Sequence, residues 1–308
     1  MNVSIITLII ISASALFYGT QKLLISRQKF DQINHRSAHN TQATKNGGIV
    51  VFLMLFIFSF YYYLKGDEIY DYSLLIPLSI MTFIGVYDDF YDANFKLKFF
   101  FQIIVSKLLI DQGFIINDFH GILGLHEIPR LVSQLFTVFV FLVIVNAINF
   151  IDGIDGLGIT EVLKVMIVLE YISLDTTPLA NIGLIVGLSL IPMYYFNFKK
   201  QNKIFLGDAG SLFLGTVIAI YLFYVLGAEY KLNPQFKMNK ALLAIGVVLY
   251  PLVDLLRVFI IRIAQKKSPF HPDKNHLHHL LLKKGIPHLW IVIIIQLISL
   301  TVLLLGLL

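Results

Sequence analysis

Four clusters of carboxylates, amides, glycines and histidines stand out in an otherwise strongly apolar chain. The first is Asp88-Asp89, followed by Asp92, Lys96 and Lys98. A helix ending here carries partial negative charge at its C-terminus, so three carboxylates need a compensating cation, either Mg²⁺ or a nearby lysine. A solvated acidic helix exit with local ion pairs is the plainer alternative. The second cluster is Asn146, Asn149, Asp152 and Asp155, interleaved with Gly153, Gly156 and Gly158. Two amides and two carboxylates offer oxygen ligands to a hard cation and hydrogen bonds to a polar substrate, while the glycines permit tight turns and close backbone approach. The alternative makes Asp155 a helix cap and leaves the glycines to form the turn.

The third cluster, Gly207-Asp208-Ala209-Gly210-Ser211, opens an apolar run. A helix start presents free backbone N–H groups and a positive dipole end, which reads as a phosphate site with Asp208 beside it as a metal ligand. Asp208 as an ordinary N-cap is the alternative. The fourth, His271 to His279, holds four of the nine histidines and is flanked by Arg262, Lys266, Lys267, Lys283 and Lys284. Imidazoles among lysines suit recognition of phosphate or sugar hydroxyls; a basic loop facing anionic lipid and a polyhistidine zinc site are the other readings. Asp254 with Arg257 and Glu161 with Lys164 are each three residues apart on one helix face, and read as structural ion pairs inside the membrane.

Composition sets the elements that carry these clusters. Of 308 residues, 57% are apolar and 14% charged, and the mean hydropathy is +0.78, which excludes a water-soluble domain. With about 20 residues per span, the apolar runs at 1–20, 47–64, 72–87, 98–116, 131–147, 157–173, 179–196, 210–227, 240–261 and 289–307 predict an all-α polytopic integral membrane protein. It has about ten transmembrane helices, and residues 1–308 form a single catalytic domain. No basic residue precedes Lys22, so the first run reads as a retained span rather than a cleaved signal. Absence of cysteine excludes a disulfide scaffold, a thiolate zinc site and a cysteine nucleophile. The chain shows no convincing internal repeat.

The net charge of +5 reflects topology more than a partner. Of 22 loop Lys and Arg, 17 fall in alternate loops on one side, which the positive-inside rule makes cytoplasmic, with both termini outside. All four clusters fall on that side, where the loops 25–46, 88–98, 146–158, 197–211 and 262–288 are expected to form the active site. A transporter would place broken helices and charges near the bilayer midplane. Clusters at the ends of spans depart from that pattern, and no nucleic-acid partner is expected.

In chain order, Asp88-Asp89 with Lys98 and Gln102, Asn146-x-x-Asn149-x-x-Asp152-Gly-x-Asp155-Gly-Leu, Phe205-Leu-Gly-Asp208-x-Gly-Ser211 and His276-x-His278-His279 resemble the polyprenyl-phosphate N-acetylhexosamine-1-phosphate transferases. The resemblance runs from about His39 to about Gly285. It implies transfer of a sugar 1-phosphate from a UDP-sugar to undecaprenyl phosphate with release of UMP, in a bacterial cytoplasmic membrane, at the start of lipid-linked cell-envelope glycan synthesis. Mg²⁺ is the implied cofactor, with Mn²⁺ as a substitute, and a homodimer is compatible with it.

Carried over by motif, Asp208 and Asn149 are metal ligands, Asp88 and Asp89 act at the lipid phosphate or metal, and Lys98 acts at phosphate. Asp152 and Asp155 lie around nucleotide and sugar, with Asp155 counted among the catalytic groups. Gly48, Asn146, Arg262, His276, His278 and His279 contact substrate. The histidine pattern resembles the branch using UDP-N-acetylglucosamine rather than the muramyl-pentapeptide donor. The departures are Gln42 and Thr44 where prolines are common, Lys45 where arginine is usual, and Leu255 where threonine is common. The chemistry fits on its own terms. One anion attacking another needs a metal and fixed cations more than a strong base. The acceptor phosphate, with a second pKa of about 6, is already largely ionised. Asp88 is therefore expected to orient the acceptor or link to the metal rather than act as a general base.

Overall fold

The computed structural model describes residues 3–30, 42–269 and 275–307; His39 and the His271 end of the histidine loop lie outside these. Apolar runs become helices because a backbone in lipid must satisfy its own hydrogen bonds. In chain order these are α1 (Val3–Ser26), α2 (Gly47–Lys65), α3 (Leu75–Tyr91), α4 (Phe95–Asp111), α5 (Arg130–Ile151) and α6 (Leu157–Ile172). They are followed by α7 (Ala180–Phe198), α8 (Gly207–Leu226), α9 (Lys240–Val247), α10 (Leu249–Ala264), α11 (Leu277–Lys283) and α12 (His288–Leu307). Two short strands, β1 (Ala43–Thr44) and β2 (Lys203–Ile204), pair in parallel.

The all-α membrane architecture is as expected, but ten spans are not confirmed. Seven helices among the described residues are long and apolar enough to cross a bilayer, and an eighth is the bent pair α9–α10. The helices α4 and α6, with 17 and 16 residues, fall short of that length. They still run from one end of the bundle to the other: α4 starts beside α3 at the end that carries the clusters, and Gln112 just past its other end donates to Ser73 O at 3.2 Å. The run expected as one span over 240–261 breaks at Val248, where the axis turns by 71°. Pro251 has no N–H to give the carbonyl of Val247, and its ring crowds that carbonyl, which explains a break at this point.

Helix α8 is the hub. Nearly all its side chains are buried, including Phe213, Tyr221 and Phe223, and α3 and α5 pack closely along it. Outer helices instead turn Phe83, Leu135, Tyr171 and Leu305 outward, as lipid-facing surfaces do. The connections at the far end are tied together by Asn181 Nδ2 to Ile69 O (2.8 Å), Leu174 N to Lys231 O (2.8 Å) and His120 Nε2 to Leu226 O (2.9 Å). The four clusters gather at the opposite end.

Candidate active site

Backbone contacts set the site. A Cβ on Gly48 would lie 2.0 Å from Gly210 N, and one on Gly85 would lie 2.5 Å from Ala209 Cα, so α2, α3 and α8 meet backbone to backbone. Pairing of β1 with β2 delivers the first loop to this point, where Gly47 N and Gly48 N donate to Phe205 O (3.0 Å) and Leu206 O (2.8 Å). Gly48, expected to touch substrate, is instead covered by α8 and has its N–H occupied.

Asp89 also differs from expectation. Its two carboxylate oxygens accept from Asp208 N (3.0 Å) and Ala209 N (2.9 Å), so a residue of α3 caps the start of α8. Leu206, at the cap position by sequence, has no side-chain oxygen to offer. Gly207 makes the arrangement feasible: its φ is +73°, and a Cβ there would lie 2.6 Å from Asp89 Oδ2. The N–H groups expected to be free for phosphate are thus held by a buried carboxylate, with Lys45 Nζ 3.8 Å away as its counter-ion.

Relieved of capping, Asp208 faces the crevice. Its side chain is 28% exposed, against 8% for Asp88 and 1% for Asp89, which makes it the reachable carboxylate of the three. Asn149 Nδ2 donates to Asp208 Oδ1 (2.5 Å) and Ser211 Oγ (2.7 Å), crossing from α5 to α8. Asn94 caps α4 by accepting from Lys96 N at 3.0 Å, which fixes the turn carrying Lys98. Lys98 Nζ then lies 2.5 Å from Asp88 Oδ2 and 3.9 Å from Asp208 Oδ1. A lysine therefore supplies the compensating cation. Behind it the half-buried Asn146 donates through Nδ2 to Oε1 of the buried Gln102 at 2.8 Å, linking α5 to α4.

The α5–α6 turn separates two aspartates with similar sequence surroundings. Asp155 is bound by Lys203 Nζ and by His288 Nδ1 (3.0 Å). Burial raises its pKa, but the bonds from His288 and Lys203 outweigh burial and leave it below the ordinary carboxylate value. This carboxylate, expected among the catalytic groups, ties the turn to β2 and α12, and it caps no helix. Asp152 makes no such bond. Desolvation pushes its pKa well up, and repulsion from Asp208, Asp89 and Asp155 adds to this.

The histidines sit over this turn. A Cβ on Gly153 would lie 2.8 Å from His278 Nε2 and 3.3 Å from His279 Nε2. His278 is fully buried; its pKa is lowered first by burial and then by His279, His276 and His288, so it serves as a neutral imidazole. Its Nδ1 meets Tyr250 OH at 3.1 Å, and its Nε2 has no hydrogen-bond partner among the described residues. Asp254 pairs with His276 Nδ1 at 2.7 Å rather than with Arg257. Arg262, expected at substrate, is 2% exposed, lies 6.0 Å from the Phe150 ring centre and donates to Pro269 O, which makes it a strut beneath the loop. Glu161 and Lys164 pair at 2.7 Å within a buried network reaching Gln296 and Ser299 of α12, as a structural role requires.

Among the described residues no group of three or more His, Asp or Glu side chains could hold a metal; His271 and Asp273, part of the zinc reading, lie outside them. Mg²⁺ asks less of a protein: one or two carboxylates, with water and substrate phosphates completing its shell. Asp208 with Asn149 fits that demand, since turning the Asn149 amide over places its oxygen where its nitrogen now points. Sequence reasoning passed over Lys203, His288, Tyr250 and Asn197, whose Oδ1 accepts from Gly156 N at 2.7 Å. They are single residues in unremarkable surroundings, and only the fold brings them to the turn.

Carboxylates bridged by lysine, at one end of a membrane bundle and beside a shelf of imidazoles, make a site for phosphate chemistry at a bilayer surface. The chain belongs to glycosyl transferase family 4, whose characteristic region matches residues 72–226. It is 31% identical over 266 residues to the undecaprenyl-phosphate alpha-N-acetylglucosaminyl 1-phosphate transferase of Haemophilus influenzae, covering 83% of this chain and 72% of the relative. With the probable undecaprenyl-phosphate N-acetylglucosaminyl 1-phosphate transferase of Bacillus subtilis it shares 30% identity over 305 residues, covering 96% and 80%. The decaprenyl-phosphate N-acetylglucosaminephosphotransferase of Mycobacterium leprae is 30% identical over 287 residues, covering 85% and 72%.

Proposed function

We propose that the protein transfers N-acetylglucosamine 1-phosphate from UDP-N-acetylglucosamine to a polyprenyl phosphate in a bacterial cytoplasmic membrane, with the crevice facing the cytoplasm. An oxygen of the lipid phosphate attacks the β-phosphorus of the donor. The bond from that phosphorus to the bridging oxygen breaks, UMP leaves, and the product is a lipid pyrophosphoryl sugar. The observation that carries this reading is Lys98, whose ammonium lies between Asp88 and the open Asp208, within reach of both. A fixed cation there lowers the repulsion between two phosphate anions as they approach. Bound Mg²⁺, held by Asp208 and Asn149, would neutralise charge on the pyrophosphate and its leaving group.

The remaining groups divide between holding and orienting. Asp88 fixes the Lys98 ammonium, so it orients a cation instead of collecting a proton. Asp89 fixes the backbone from which Asp208 projects. The half-buried His279 over Gly153 suits hydroxyl and amide groups of the sugar, with the fully buried, neutral His278 packed against its ring. Names given to the relatives support both the sugar and the polyprenyl acceptor. Purified protein incubated with undecaprenyl phosphate, Mg²⁺ and a panel of UDP-sugars tests the reading. UMP release should be fastest with UDP-N-acetylglucosamine, and faster release with the muramyl-pentapeptide donor would overturn the choice of sugar.

A further inference from the structure

One face of α10 grips the segment that carries the histidines. Tyr250, Asp254 and Arg257 fall at i, i+4 and i+7, a single helical stripe. Each reaches a different residue of 275–278. Arg257 Nη1 donates to Asn275 O at 2.6 Å. Asp254 accepts from His276 Nδ1 at 2.7 Å through one oxygen and from Leu277 N at 2.8 Å through the other. Tyr250 OH meets His278 Nδ1 at 3.1 Å. The central member is wholly buried, and so is His278. The first turn of α11 has no cap of its own, because His276 stands at the cap position and gives no side-chain bond to it. Asp254 fills that role from another helix.

We infer that Tyr250, Asp254 and Arg257 form a clamp, with Asp254 at its centre, that holds His278 and His279 over Gly153 for recognition of the donor sugar. This rests on the proposed reaction. In it Asp254 is a positioning residue: it acts on the donor through His276 and the backbone of Leu277. Two consequences follow from the bonding. The carboxylate holds the hydrogen of His276 on Nδ1, which leaves Nε2 turned away from α10. The break at Val248 also matters, because the angle of α10 sets where the clamp places the imidazoles. A plain intrahelical Asp254–Arg257 pair would do neither.

The test uses full-length protein in lipid nanodiscs with Asp254→Asn, Asp254→Ala and Tyr250→Phe. Asp254→Asn keeps an oxygen for Leu277 N but turns an amide N–H toward His276 Nδ1, which removes the charge and moves the ring hydrogen to Nε2, so it remains informative should Asp254→Ala fold poorly. Amide hydrogen exchange across 275–283 should quicken at least tenfold in Asp254→Ala and by less in Asp254→Asn, with the α3 and α8 ends unchanged. KM for UDP-N-acetylglucosamine should rise about tenfold in Asp254→Asn, while KM for polyprenyl phosphate stays within twofold. Unchanged exchange in both Asp254 variants overturns the clamp. Faster exchange with an unaltered donor KM, or with both KM values raised equally, overturns its part in donor recognition. Exchange is read without turnover, so absence of UMP release by the wild-type protein would reject the proposed reaction while leaving the clamp itself measurable.

Discussion

Replacing Asp89 by alanine removes the acceptor for two backbone N–H groups, those of Asp208 and Ala209, which now bond at 3.0 and 2.9 Å. A buried donor left without a partner costs about 1–3 kcal/mol, so Asp89→Ala should destabilise the protein by about 2–6 kcal/mol through the α8 end alone. Asp89→Asn should cost about half as much, since its oxygen satisfies one donor while its amide nitrogen faces the other. Gly207→Ala attacks the same contact from the opposite side, because its Cβ would fall 2.6 Å from Asp89 Oδ2 at a φ of +73°. The assay is the thermal unfolding midpoint in detergent, read beside turnover. Midpoints should fall in the order wild type, Asp89→Asn, Asp89→Ala, with Gly207→Ala also lowered. A wild-type midpoint for Asp89→Asn, combined with turnover reduced more than a hundredfold, would refute the capping argument and give Asp89 a direct part in the reaction.

Asp208→Asn keeps the size of the side chain but removes the charge proposed to hold Mg²⁺. It should lower turnover at least about a hundredfold, roughly 2.7 kcal/mol of barrier, without unfolding; near-normal rates across a Mg²⁺ titration would reject it as a ligand. Lys98→Met should slow turnover by a similar order, since Asp88 and Asp208 then face incoming phosphates uncompensated; an unchanged rate would remove Lys98 from the mechanism. Asp155 has a folded pKa below its ordinary value, so its stabilising contribution is present above about pH 4 and is lost as pH falls through the depressed value. Asp155→Asn should therefore lower the unfolding midpoint at pH 7 and progressively less in acid; an equal deficit at all pH values would count against the ion pairs with Lys203 and His288. Reporters fused at Lys200 and Lys237 should read cytoplasmic and external respectively, and the reverse would separate the site from a cytosolic donor.

The sequence made legible whatever repeats or clusters along the chain. Apolar runs marked the helices, cation asymmetry sorted the loops, and four polar motifs named the end of the bundle where the site lies. Other features depend on contacts between distant segments. Asp88 and Asp89 look equivalent in sequence, yet α3 is so placed that one meets Lys98 and the other meets the start of α8. The same holds for Asp152 and Asp155, which part company because Lys203 and His288 reach only the second. Arg257 is the obvious partner of Asp254 by spacing, but the carboxylate accepts from His276 and Leu277, which lie more than 20 residues further along the chain. Gly48 read as a substrate contact because the glycine opposite it, Gly210, lies more than a hundred residues away in sequence. The number of spans rests on a similar limit: hydropathy registers the apolar residues of α4 and α6, but these helices use only 17 and 16 residues to run from one end of the bundle to the other.

The central claim is that a sugar 1-phosphate, and not the sugar alone, moves to the lipid. UDP-N-acetylglucosamine labelled in its β-phosphate, incubated with the purified protein, Mg²⁺ and undecaprenyl phosphate, separates the two directly. Attack at the β-phosphorus predicts label in the lipid fraction, with unlabelled UMP released in equal amount. Label remaining in water as UDP, with sugar on the lipid, would contradict the account.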